Sequence, residues 1–429
     1  MKHFYALLWV IFPLLATGQD LSQIGKRKPV KLTGAFSAAG TAYTVTGIPN
    51  RRDPFYWVLS GNATLDLYGV AIPFSATFSQ QNRTFTQPFN QYGLSPTYKP
   101  VTLHLGYRSM QFSSFTLAGT TFLGAGVEVA PDNGWVKVSG MYGRLAKATL
   151  GGIDGAVRGL PAYERWGYGG KVSLGKAQRN VDFILFRAKD NPRSAPAGLD
   201  SLVKPAENLV LGVNTRQQLG QQWSFDAELA LSAYTLDVQT PEVTLQTYSY
   251  ANNLGTLFVP RSTSQFNNAA QASLSYNHTR YQVRLSYRRI DPEFRTMGSV
   301  FLNNDLEDAS VNLAWRMLQN KLNLSATGGL QRNNLDQKLA ARQTRLATSF
   351  TGSYSPSQRL NLAANYSNFT SSTRMTRSLD LDSLNYLQVT STAGLNASYN
   401  VGGKRLRHVW SLAGNYQEAY DSGQNNSSF

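Results

Sequence analysis

The chain has 429 residues, a formal net charge of +16 and no cysteine. The missing thiols exclude disulfides, thiolate metal sites and cysteine nucleophiles together, so stability must come from hydrogen-bonded sheet and burial. Only 15% of residues are charged, well under the roughly 25% of an average soluble domain, while Tyr (22) and Phe (21) are abundant.

Met1-Lys2-His3 is a short basic start. It leads into an apolar run over 4–16, and Ala16-Thr17-Gly18 supplies small residues before Gln19. That order predicts a cleaved secretory signal peptide over 1–18. Beyond it no run of about 18 apolar residues occurs, so no membrane-crossing helix is expected. Residues 19–429 read as a single domain.

The clearest pattern lies between Gln265 and Tyr420, where polar and apolar residues alternate in segments separated by polar turns. Around Arg280, the residues Tyr281, Val283, Leu285 and Tyr287 share one face, and Arg280, Gln282, Arg284 and Arg288 share the other. Side chains alternate faces along a strand, so one face meets an apolar medium and the other meets water. Repeated strands of about 9–11 residues with this alternation predict an all-β fold, a transmembrane antiparallel β-barrel.

In chain order the strand candidates are 30–47, 55–67, 71–80, 101–112, 117–130, 135–146, 163–175 and 179–189 in the first half. They continue as 207–217, 222–234, 266–277, 280–290, 306–317, 321–331, 343–354, 359–369, 386–401 and 405–420. The expected total is about eighteen (16–20), the size of a porin-like barrel. Short turns such as His278-Thr279 and Gly402-Gly403 alternate with long connections such as 237–265 and 291–305. This asymmetry fits short periplasmic turns and long extracellular loops. One stretch, 82–100, breaks the alternation: either a strand is missing from the count or the stretch folds inward. At the other end 421–428 is polar. Barrel closure favours a natural chain that continues past Phe429, the alternative being a frayed tail after a complete barrel.

Extending the alternation inward predicts Arg216, Arg280, Arg284, Arg288, Arg316, Lys321, Arg345 and Arg359 as pore-lining residues, with Asp226, Glu228, Asp308, Arg405 and Arg407 on the same face. A ladder of Arg inside a pore favours anions. The plainer reading is that these cations pair with acids and fill an interior that must be polar in any case. Gln87, Phe89, Asn90 and Tyr92, in an aromatic, amide-rich stretch bounded by Pro88 and Pro96, are candidates for a constriction loop, with an ordered surface loop as the alternative.

Catalysis finds little support. His104, His278 and His408 are the histidines beyond the leader, and only His104 has serines nearby in sequence: Ser109, Ser113 and Ser114. No zinc-protease, serine-hydrolase, phosphate-loop or dinucleotide fingerprint occurs, so no cofactor or metal is expected. The positive charge is scattered, without a nucleic-acid-binding module, and nucleic acid is not an expected partner.

The stretch Arg52-Asp53-Pro54-Phe55-Tyr56-Trp57-Val58-Leu59-Ser60-Gly61-Asn62, then 87–96 and His104-Leu105-Gly106-Tyr107-Arg108-Ser109-Met110, resembles uncharacterised outer-membrane β-barrel proteins of Bacteroidota-type bacteria. The region 16–19 is similar to theirs too. The likeness covers the first third and implies fold and location, with no chemistry attached. The expected function is a porin-like outer-membrane conduit for polar, anionic solutes. The alternatives are a plugged barrel that anchors or exports a surface or periplasmic protein partner and, less favoured, an outer-membrane hydrolase. The partners expected in any case are outer-membrane lipid, lipopolysaccharide and the barrel-assembly machinery.

Overall fold

The computed structural model describes residues 30–48, 54–68, 70–79, 90–149, 161–194, 203–376, 385–403, 406–422 and 427–428. The strands are β1 (Val30–Ala42), β2 (Phe55–Leu67), β3 (Val70–Ser79), β4 (Gln91–Leu94), β5 (Thr97–Tyr98), β6 (Val101–Gln111) and β7 (Ala118–Val129). Next come β8 (Val136–Ala146), β9 (Arg165–Lys176), β10 (Arg179–Asp190), β11 (Glu207–Leu219), β12 (Trp223–Thr235), β13 (Ser264–Asn277) and β14 (Tyr281–Ile290). The last are β15 (Leu306–Met317), β16 (Leu322–Arg332), β17 (Ala341–Tyr354), β18 (Leu360–Met375), β19 (Tyr386–Gly402), β20 (Arg407–Asp421) and β21 (Ser427–Ser428). All belong to one 21-stranded sheet. Every registered pairing between strands is antiparallel, and wall neighbours are neighbours in sequence. No helix among the described residues is long and apolar enough to cross a membrane.

The alternation read from the sequence becomes two faces with different chemistry. On one face Leu229, Leu231, Leu285, Leu313, Leu395 and Leu412 are exposed. On the opposite face Asn180, Asp182, Asn214, Arg216, Asp226, Gln271, Arg284 and Arg288 converge on one concavity, spanning β10 to β14. A sheet whose polar face is concave and whose apolar face is convex has the build of a transmembrane barrel: water lies within and hydrocarbon outside.

Aromatic residues rim the apolar face. At the short-turn end Trp223 and Tyr276 are 4.7 Å apart, Tyr276 and Tyr281 are 5.6 Å apart, and Tyr281 stands in register with Trp315. Farther round, Tyr399 pairs with Trp410. The long-loop end carries Tyr142 against Trp166 at 5.4 Å, with Tyr416 and Tyr420 on β20. From Trp410 to Tyr420 the strand rises about 3.3 Å per residue. At a typical barrel tilt of about 40° this spans roughly 25 Å, the height of the apolar band in such barrels.

Among the described residues the short turns close tightly. Leu318, Gln319 and Asn320 between β15 and β16 all have φ between 53° and 67°, and the Lys321 N–H donates to the Leu318 carbonyl at 3.1 Å. Long connections fall on the opposite end, as the sequence predicts. The difficulty at 82–100 resolves in favour of a missed strand. β4 pairs with β3 and β6, and β5 does the same two residues later, so together they occupy one place in the wall. Pro96 interrupts the pair because it has no N–H for the ladder. Two pieces this short leave no visible alternation.

Leu285→Arg would put a charge on the apolar face midway along β14, and the expected loss is roughly 2–4 kcal/mol. Ser286→Arg, one residue on and facing inward, is expected to lose far less. Urea titration of the protein refolded into lipid vesicles measures both.

Candidate functional site

The inner wall is organised in rows that follow the interstrand hydrogen bonds. One row runs through Asp182, Asn214, Glu228, Gln271, Arg288, Asp308, Gln331, Arg345, Ser371, Gln388 and Asp421, each in register with the next. Neighbours in the row interact. The Gln271 amide donates to Glu228 at 2.8 Å, Arg288 lies 3.8 Å from Asp308, and Arg345 donates to Gln331 at 3.4 Å. Lower in the wall Arg284 donates to Ser273 at 3.2 Å, and Arg216 donates to Asp226 at 2.6 Å. Arg316 stands lower still, in register with Asn323.

Two connections turn into this space. The first, Phe112 to Leu117 between β6 and β7, packs against the inner wall: Phe112, Phe115, Thr116 and Leu117 are all buried. The Phe115 N–H donates to the buried Glu228 carboxylate at 2.9 Å, and the Ser113 and Thr116 hydroxyls are 2.6 Å apart. The second is Phe294 to Gly298, within the connection 291–305. Its Thr296 hydroxyl donates to the Thr116 carbonyl at 2.7 Å, and the Met297 N–H donates to Asn208 Oδ1 at 3.0 Å. Asn208, fully buried, also donates to the Ser232 hydroxyl at 2.9 Å.

Small residues make the room. A Cβ on Gly212 would sit 2.9 Å from Thr116 Cγ2, and one on Gly169 would sit 2.9 Å from Phe112 Cε2. The rest of the contact is apolar. Met110, Phe112, Leu117, Phe122, Met141, Leu145, Ile184, Phe186 and Met297 form one cluster. Phe115, Val210, Ala230, Ala269, Ile290 and Phe294 form a second. Phe115 and Phe294 meet edge to face at 6.1 Å. Burying a side chain of this size contributes about 1.5–3 kcal/mol, so several together hold the segments inward.

The predicted constriction is described only in part. Gln87 and Phe89 fall outside the described residues. Asn90 accepts the Ser79 N–H at 2.6 Å, and Tyr92 belongs to β4, where it faces outward against Tyr107 at 6.0 Å. The described segments that narrow the interior are 112–117 and 294–298. A signal for them exists in the sequence: β10 and β11 carry Phe183-Ile184-Leu185-Phe186 and Leu209-Val210-Leu211, apolar on both faces. An inward apolar residue in a wall strand needs something apolar to cover it.

Of the predicted pore-lining cations, Arg216, Arg284, Arg288, Arg316 and Arg345 occupy wall strands on the inner face. Arg280, Lys321 and Arg359 are displaced from that reading. They lie in short turns at the rim, where their carbonyls accept the N–H groups of Arg316, Ser355 and Asn400 as the ladder ends. Arg405 falls outside the described residues. His104 meets Ser95 and Glu128. Its Nδ1 lies 3.0 Å from the Ser95 hydroxyl and its Nε2 lies 3.7 Å from Glu128. In the connection 333–340 the Lys338 ammonium, 2.9 Å from Asp336, holds that carboxyl below its usual range.

No protein-family model matches the chain, and no curated protein is similar to it. Among solved structures it is similar to OprD from Pseudomonas aeruginosa, at 10% identity, with 90% of this chain and 93% of that chain covered and a TM-score of 0.39. It is also similar to Acinetobacter baumannii OccAB3, at 13% identity over 83% of this chain and 92% of that one, TM-score 0.38. A third is Pseudomonas aeruginosa OccK2 (OpdF) in complex with glucuronate, at 11% identity over 92% and 97%, TM-score 0.38. The fold itself rests on the ladder and on the two faces it separates.

Glu228→Ala leaves the Phe115 N–H without its acceptor, and the inward segment should lose about 1–3 kcal/mol of attachment. Because the chain has no cysteine, Ser113→Cys provides a clean reporter. Its reaction with a water-soluble maleimide is expected to be slow in the parent barrel and faster after Glu228→Ala. Gly212→Val should accelerate it as well, by crowding Thr116.

Proposed function

We propose that the protein is an outer-membrane conduit for small polar solutes, with a lumen biased toward anions. The observation that supports this most directly concerns Arg284, Arg316 and Arg345. They stand at three levels of the inner wall, are exposed, and have no carboxylate partner among the described residues. Arg216 and Arg288, by contrast, lie beside Asp226 and Asp308. A cation already paired within the wall offers little field to a passing solute, whereas an unpaired one lowers the electrostatic barrier for anions along the path.

The inward segments supply the second element of a selective conduit, a narrowed zone. They pack against β7–β14 and leave the sector of β15 to β20 uncovered by those contacts. A solute passing the narrowing is therefore brought along the wall that carries Arg316 and Arg345. The convex apolar wall would face lipid, with the short turns on the periplasmic side. A barrel that anchors or exports a protein partner is the competing role, and the dry packing beneath 112–117 is what favours it.

The two readings separate in planar bilayers. The conduit reading expects steady single-channel steps and, across a KCl gradient, a reversal potential of the sign set by preferred chloride flow. Arg284→Glu combined with Arg345→Glu should move that potential toward cation preference while leaving the barrel folded. Electrical silence from correctly folded protein would instead leave the anchoring role.

A further inference from the structure

The connection 236–263 folds over the outside of the wall. Its Phe258, 1% exposed, packs with Leu209 and Ala233, and Leu185, Leu211 and Phe266 close around it. Those wall residues share the outer face: Leu211 is in register with the exposed Leu231, and Ala233 with Phe266. Tyr248 of the connection stacks on Phe266 at 4.8 Å. Beside this cover, between β13 and the connection 333–340, opens a cleft of about 800 Å³. Its lining includes Tyr248, Phe266, Asn268, Arg289, Asp336 and Lys338.

Below the cleft the apolar band is short. On β14 the outward residues are Tyr281, Val283, Leu285 and Tyr287, and then Arg289. From Tyr281 to Tyr287 the strand rises roughly 15 Å at a tilt of about 40°, against roughly 25 Å for a full band. A charged row begins directly above: Arg289, Glu307 and Arg332 stand in register on β14, β15 and β16. Glu307 anchors the row, accepting from the Tyr287 hydroxyl at 2.6 Å and from Arg332 Nε. Arg289 Nε donates to Asp291 at 3.4 Å. Both guanidinium groups are about half exposed, and each meets its carboxylate through Nε, so the planar fork keeps donors to give. Lys338, exposed, stands on the far lip of the cleft.

A bilayer that meets so short a band thins or sets polar groups against the wall, and lipid tails cannot satisfy two guanidinium forks. Phosphate oxygens can, two at a time. Position selects the source. The row lies on the lipid-facing wall just above Tyr287 and Leu330, and interfacial aromatic rings mark the headgroup level.

We infer that the long-loop rim of β13–β16 binds the phosphorylated sugar headgroup of an outer-leaflet glycolipid. Arg289, Arg332 and Lys338 take the phosphate. The cleft takes the sugar, with Tyr248 and Phe266 against its ring and Asn268 and Asp336 for its hydroxyls. The acyl chains run down the wall past Tyr287 and Leu285. The site does not depend on what passes through the lumen.

The test uses the whole barrel in dodecyl maltoside micelles, with bound lipid read by native mass spectrometry. The probes are diphosphoryl lipid A, the same lipid with both phosphates removed, and inorganic phosphate. The parent protein is expected to retain the phosphorylated lipid roughly tenfold or more over the dephosphorylated one. Arg289→Gln combined with Arg332→Gln should lower that retention by a similar factor, while Lys176→Gln at the short-turn end should leave it unchanged. Folding is checked by heat-dependent gel mobility. If the double variant does not fold, Arg289→Gln with Lys338→Gln, which keeps the Arg332–Glu307 pair, replaces it with the same expectation. Equal retention by parent and variant, or of both lipids, would overturn the site. Displacement of lipid A by an equal concentration of inorganic phosphate would make free phosphate the ligand and reject the lipid. A pair of barrels that separates in the variant would give the surface to a second copy and reject the lipid as well.

Discussion

Inside a bilayer a backbone N–H or C=O has no water to bind, so each one has to find a partner within the protein. That requirement organises everything else in this chain. It produces strands that pair with their sequence neighbours, because a hairpin satisfies both edges with the least loop. It places short turns at one end and long connections at the other. It also turns the sequence into rows: once register is set between β10 and β11, the row from Asp182 to Asp421 follows strand by strand. The charged belt of the lumen is thus a consequence of backbone pairing as much as of side-chain choice.

The second determinant is the departure from simple alternation. A barrel interior needs polar residues only where water reaches it. Between β7 and β13 the inner wall carries Phe122, Met141, Ile184, Phe186, Val210 and Ala230, and these would be exposed if nothing covered them. The segment 112–117 covers them and brings Phe112, Phe115 and Leu117 as its own apolar contribution. Glu228 and Asn208 satisfy the backbone groups that this packing removes from water. Glycines at 169 and 212 let the segment approach the wall backbone closely.

Much of this was legible in the residues. The alternation around Tyr281–Tyr287 identified the faces correctly because each strand there meets lipid on one side and open water on the other. Arg284 and Arg288 were placed on the inner face for the same reason. Alternation has no power where a strand is too short to repeat, which is why Gln91–Leu94 and Thr97–Tyr98 were hidden. It also carries no information about what happens beyond a strand end, so Arg280, Lys321 and Arg359 were extended one step too far, into turns. Of the constriction expected at 87–92, Asn90 and Tyr92 lie beside or in wall strand β4, and Gln87 and Phe89 are outside the described residues. The feature that marks the inward segments 112–117 and 294–298 is in the wall, at Phe183–Phe186, where apolar residues on both faces demand a cover.

The two inward segments are fastened to each other as well as to the wall. Thr296 holds the carbonyl of Thr116, and Asn208 holds Met297 while gripping Ser232 on the neighbouring strand. Detaching either one strips partners from the other, so they form a single clasp that releases cooperatively or not at all. Fluctuations of the bore must then be absorbed by the opposite half-cylinder, which among the described residues has no such clasp across it.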